Sequence, residues 1–155
     1  MLFRSVPVEL LERTTVPEHR LVKVLHDLSA REHLLEVAVL STCNRTEIYA
    51  RGTHFHAAVG DVQEFLAAYS GASLADFEEH LYTFYDDAAV GHLFSVAAGL
   101  DSMIIGEHEI LGQVGDAWQT AVREQTVSQV LSPLFRHAVE SGRRVRAETG
   151  VSRHP

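Results

Sequence analysis

A single cysteine, Cys43, stands in 155 residues, which excludes an internal disulfide and a cysteine-built structural zinc site. Long apolar runs are absent as well. Stretches such as Val37–Leu40 fall far short of the roughly 20 residues that cross a bilayer. The opening residues MLFRSVPVELLER place Glu9 and Glu12 where a signal peptide needs an apolar core, so export is not expected. Lysine is nearly missing too: Lys23 stands against twelve arginines, a bias that decides nothing about function. With 46 % hydrophobic and 22 % charged residues, the chain is not of the disordered class. A mass of 17.2 kDa suits one domain, or one domain with an appendage. The expectation is a soluble, cytoplasmic protein with no membrane partner and one thiol to explain.

The net charge of −8 argues against a purely electrostatic nucleic-acid binder, but the charge is uneven. Residues 136–155 hold Arg136, Arg143, Arg144, Arg146 and Arg153 against Glu140 and Glu148, a balance of +3 that leaves −11 for the rest. Such a stretch can contact RNA phosphates, or it can simply complement the dipole at a helix end.

Thr15-Val-Pro-Glu18 has capping-box spacing and precedes Leu21, Val24, Leu25 and Leu28, predicting a helix over about 16–30. Glu36–Ser41 and Thr46–Arg51 are short and β-prone, and the polar Thr42-Cys43-Asn44-Arg45 between them predicts a hairpin with the cysteine in its turn. Asp61–Tyr69 reads as a helix ended by Ser70-Gly71-Ala72-Ser73, and Leu81–Tyr85 as a third strand. From Asp86 onward the pattern is helical. One stripe runs Val90, Leu93, Phe94, Ala97, Leu100, a second runs from Ile110 to Val122, and a third runs from Leu131 to Val139 and on to about Glu148. Gly99 and Gly106 bracket the segment between the first two of these helices and suit a helix stop and a tight re-entry.

A cysteine in a polar turn is reachable, and Arg45 two residues on offers a cation to a thiolate, the form that attacks a carbonyl. A lone cysteine is more often a small buried side chain, but the heptapeptide Ser41-Thr42-Cys43-Asn44-Arg45-Thr46-Glu47 has nothing to bury it. His54 and His56 share a strand face by alternation, without a third ligand, so no metal is expected. The apolar stripes, Trp118 and Phe135 included, read as core.

The heptapeptide followed by Ile48-Tyr49 resembles the signature of glutamyl-tRNA reductases, the family that opens five-carbon tetrapyrrole (porphyrin) synthesis. His92–Glu107 running into Ile110-Leu-Gly-Gln113-Val resembles a second block of that family, and Gly142–Thr149 a third. The resemblance implies an NADPH-dependent oxidoreductase acting on glutamyl-tRNA. Cys43 would attack the ester joining glutamate to its tRNA, and hydride from NADPH would reduce the resulting thioester to glutamate-1-semialdehyde. It further implies His92 as a proton-transfer residue, with Thr42, Asn44, Arg45, Ser102, Glu107, His108, Glu109 and Gln113 around the substrate. Arg45 suits a substrate carboxylate, since its fork bonds both oxygens, and Glu107 or Glu109 suits the α-ammonium.

The implied fold is α+β, a ferredoxin-like α/β sandwich over residues 1–150 with helices from about 86 and a long C-terminal linker helix; 151–155 would begin a linker. The family's opening strand is expected to be largely missing, because the chain starts just before Val6-Pro7-Val8, and a less stable, aggregation-prone domain would follow. No G-x-G-x-x-G follows a strand, and Gly112-Gln-Val-Gly115 sits in a helical stripe, so NADPH is expected to bind outside this chain. The family's homodimerisation region is expected outside it too. Contact with a glutamate-1-semialdehyde aminomutase is implied only by analogy. Two other readings remain at this level: a remnant that binds without catalysis, and an unrelated thiol hydrolase of aminoacyl or thioester substrates.

Overall fold

The computed structural model describes residues 8–12, 15–43, 45–100 and 109–149. Four antiparallel strands form one sheet: β1 Val8–Glu12, β2 Leu34–Ser41, β3 Arg45–Gly52 and β4 Leu81–Phe84, in the spatial order β2-β3-β1-β4. The expected loss of the opening strand is corrected here, because Val8–Glu12 fills the place between β3 and β4, with Val8 opposite both Tyr49 and Phe84. Two neighbouring backbones supply the hydrogen-bond partners that put this stretch in the sheet.

The helices are α1 Glu18–Ser29, α2 Phe55–Ser70, the short α3 Leu74–Phe77, α4 Asp86–Ala97, α5 Ile110–Arg123 and α6 Leu131–Thr149. They cover both faces of the sheet, which explains why β2 and β3 read as nearly continuous buried runs. Val37, Val39, Ile48 and Ala50 pack with Leu25 and Leu28 of α1 and Val62 and Phe65 of α2. Alternate residues Ala38, Leu40 and Tyr49 point the other way, into Leu93 of α4, Val114 of α5 and Phe135 of α6. Tyr49 meets Phe135 edge-on, with ring centroids 5.3 Å apart.

Two local expectations are corrected. Thr15 does not cap α1. Pro17 occupies the N-cap position, no side chain caps it, and Thr15 Oγ1, two residues upstream, donates instead to the Thr42 carbonyl at 3.2 Å. His54 and His56 do not share a strand face, since β3 ends at Gly52 and α2 begins at Phe55.

The helical layer is pinned to the outer strand by Glu36, whose carboxylate is 1 % exposed. It accepts from Arg51 directly opposite on β3 and from the backbone N–H groups of Ser128, Val130 and Leu131 at the start of α6. Val37 N–H donates to the Thr126 carbonyl at 2.7 Å, so the loop after α5 occupies part of an otherwise open sheet edge. At the other end of the layer, α4 stops where Gly99 adopts φ +77°, the left-handed region open to glycine. The buried Arg146 guanidinium lies where a Cβ on Gly99 would come within 3.0 Å of Nη2. A Cβ on Gly142 would sit 2.6 Å from the Ala97 carbonyl oxygen, so α6 crosses α4 at backbone contact. Gly142→Val should therefore lower unfolding free energy by about 1–3 kcal/mol through overpacking. A urea titration that gave the wild-type midpoint would contradict this crossing.

Candidate active site

The β2–β3 connection is the expected tight turn. Ser41 pairs with Thr46, Thr42 N–H donates to the Arg45 carbonyl at 2.9 Å, and Arg45 N–H donates to Thr42 Oγ1 at 3.3 Å. Thr42 is buried beneath the turn, while Cys43 is exposed on it. Val16 N–H donates to Ser41 Oγ at 2.7 Å, bringing the start of α1 against the same turn. Asn44 lies outside the described residues, as do Ser102, Glu107 and His108.

Cys43 opens onto a cleft of about 530 Å³ between α1 and α5, running along the edge of β2. Ser41, Thr42 and Cys43 form its turn end, and Glu18, Leu21 and Val22 its α1 wall. The α5 wall presents Gln113, Asp116, Thr120 and Arg123, all on one helical stripe. Gln113, a sequence-expected substrate residue, thus shares the cleft with Cys43. Its side-chain oxygen is shielded from solvent and has no hydrogen-bond partner among the described residues. Glu109, also expected at the site, is exposed at the N-cap of α5 and does not line the cleft.

Arg45 and His92 belong to a second, buried group on the helical face of the sheet. At its centre is Glu47, fully buried. Arg45 Nε stands 3.0 Å from Glu47 Oε2, His92 Nε2 stands 3.3 Å from Oε1, and the Tyr49 hydroxyl donates to Oε1. The His92 ring stacks on Phe84 at 4.7 Å and 12°. Sequence reasoning named Arg45 and His92 but not Glu47, the carboxylate that ties a residue of the turn to one of α4. Its place in the heptapeptide was the available signal. A buried carboxylate is tolerable only with such partners.

Among the described residues no group of three or more His, Cys, Asp or Glu side chains is placed to hold a metal ion. None of their helices is long and apolar enough to cross a membrane. Gly112 and Gly115 lie within continuous α5, not at a strand-to-helix turn, so this glycine pair is not the phosphate turn of a dinucleotide cradle. Arg136, Arg143 and Arg144 are exposed on α6, and Arg153 lies outside the described residues.

A family model described as the N-terminal domain of glutamyl-tRNAGlu reductase matches residues 1–149. The chain belongs to the glutamyl-tRNA reductase family. It is 48 % identical over 150 residues to a glutamyl-tRNA reductase of Streptomyces avermitilis, covering 97 % of this chain and 26 % of that protein. It is likewise 48 % identical over 148 residues to one from Frankia alni, covering 96 % of this chain and 32 % of that protein. The solved structure of glutamyl-tRNA reductase from Methanopyrus kandleri superposes with a TM-score of 0.71 at 29 % identity, over 95 % of this chain and 35 % of that one. The chain therefore spans about a quarter to a third of the relatives it matches, and its mixed helix and small antiparallel-sheet architecture is similar to the corresponding part of the Methanopyrus structure.

Proposed function

We propose that this chain is the substrate-binding and thioester-forming part of an NADPH-dependent glutamyl-tRNA reductase, with residues 1–150 as its catalytic domain and a ferredoxin-like β-α-β-β-α-β core. The strand order β2-β3-β1-β4 supports that core. The observation that carries the function is a solitary, exposed Cys43 on a tight turn at the end of a cleft.

In this reading the Cys43 thiolate attacks the ester carbonyl of glutamyl-tRNA. The C–S bond forms, the C–O bond to the terminal ribose breaks, and the departing ribose oxygen takes up the proton that the thiol gave up. His92 carries that proton. Glu47 fixes the ring and stabilises the imidazolium, the division of labour between a histidine and its buried carboxylate. Arg45, whose Nε stands against Glu47, takes the substrate side-chain carboxylate. Gln113 offers its side-chain oxygen to the α-ammonium. Thr42, Asn44, Ser102, Glu107, His108 and Glu109 complete the proposed set. NADPH, when bound, would supply the hydride of the family's full reaction.

Single-turnover deacylation tests the assignment. Glutamyl-tRNA mixed with the chain should lose glutamate in a burst whose amplitude equals the protein concentration. Cys43→Ser should show no burst. Equal deacylation by both proteins would refute nucleophilic catalysis at this turn.

A further inference from the structure

The cleft is longer than a glutamyl group needs, and its far half is unlike the end at Cys43. Gln113 to Arg123 spans ten residues of α5, about 15 Å at 1.5 Å per residue. Beyond the turn the cleft has apolar lining from Val16, Leu21 and Val22, polar groups from Asp116 and Thr120, and Arg123 as its lining cation. The Arg123 side chain is 66 % exposed and touches Glu124 only at 3.5 Å, so it remains available to an anion. Glu18 and Asp116 disfavour a polyanion lying along the whole cleft.

We infer that this far half seats the 3′-terminal nucleotide of the substrate, resting on the function proposed above. The oxygen expelled by Cys43 belongs to the terminal ribose, so wherever the thiolate attacks, that ribose stands one bond from the reacting carbon. From Cys43 the cleft leads between α1 and α5. The aliphatic wall takes the face of the base, since pockets for such ligands are mostly apolar with a few placed polar groups. Asp116 and Thr120 meet the sugar hydroxyls. Arg123 takes the one phosphate that follows, a charge-assisted contact. Binding energy spent on a group remote from the reacting carbon then positions the ester, the usual way in which remote contacts serve a chemical step.

Because Cys43 is the chain's one thiol, its alkylation by iodoacetamide, followed by intact mass, reports occupancy of the cleft without requiring thioester chemistry. AMP is the probe. Saturating AMP should slow alkylation of the wild-type chain about tenfold by covering the thiol's approach. Thr120→Trp, which fills the far half, should bring the ratio of rates without and with AMP close to one. Arg123→Glu should weaken the AMP concentration dependence about tenfold, as expected for a lost charge-assisted phosphate contact. Unslowed alkylation of the wild type at saturating AMP would overturn the proposal. Protection that survived intact in both variants would overturn it too, since AMP would then sit elsewhere. A missing deacylation burst together with AMP protection would sink the thioester reading and leave the nucleotide seat standing. A burst without protection would do the reverse.

Discussion

Glu36→Ala is expected to lower unfolding free energy by about 3–5 kcal/mol, the range for removing one partner of a buried, hydrogen-bonded charge pair. The carboxylate sits at 1 % exposure and serves Arg51 and three backbone N–H groups at the start of α6. Truncation leaves those donors without their acceptor, each at a cost of its own. The helical layer meets the sheet here, so the loss should appear as a lower urea midpoint accompanied by loosened α6 amides in hydrogen exchange. Burial by itself would raise this carboxyl's pKa. The Ser128 N–H, the Arg51 guanidinium and the Leu131 N–H outweigh it, and the group is held below its ordinary 4.5. A carboxyl depressed by folding stabilises the protein fully above its unfolded value. Its contribution disappears as pH falls through the folded value. The wild type should therefore lose stability progressively below about pH 4.5, and Glu36→Gln should flatten that part of the profile. A variant whose stability fell with acid as steeply as the wild type would show that Glu36 is not the titrating anchor.

His92→Ala should slow glutamyl transfer to Cys43 by about 10²–10⁴-fold, the range for losing a positioned acid–base group. Glu47→Gln keeps the size of the partner and removes its charge, so it should give a smaller loss and move the pH dependence of the transfer step. A purely structural role for Glu47 would leave that pH profile in place while lowering the melting temperature. Rapid-quench measurements of transfer across pH, beside thermal melts of both variants, separate the two. Wild-type transfer rates in His92→Ala would remove the histidine from the reaction.

The turn that carries Cys43 was legible because local chemistry decides it. The polar stretch Thr42 to Arg45 between two β-prone runs can hardly be anything but a connection, and the structure closes it through Thr42 and Arg45. The amphipathic stripes of α5 and α6 were legible for the same reason. What escaped depends on residues distant in sequence. Val8–Glu12 alternates poorly and carries two glutamates. It becomes a strand because β3 and β4 flank it. Glu47 is one of 21 acidic residues, and its burial needs α4 to deliver His92 from 45 positions away. Glu36 acquires its role from backbone more than 90 residues downstream. The capping box at Thr15–Glu18 misled because α1 begins two residues later than that box requires, with Pro17 at its N-cap position, while the Thr15 hydroxyl donates to the Thr42 carbonyl, which only the tertiary fold brings near.

Intact-protein mass after brief incubation with glutamyl-tRNA shows whether Cys43 accepts the glutamyl group. The wild-type chain should gain one glutamyl group, released by hydroxylamine as a thioester would be, and Cys43→Ser should gain none. An unmodified wild-type mass from a chain shown to be folded by circular dichroism, or an adduct equally present on Cys43→Ser, would mean that Cys43 is not the glutamyl acceptor.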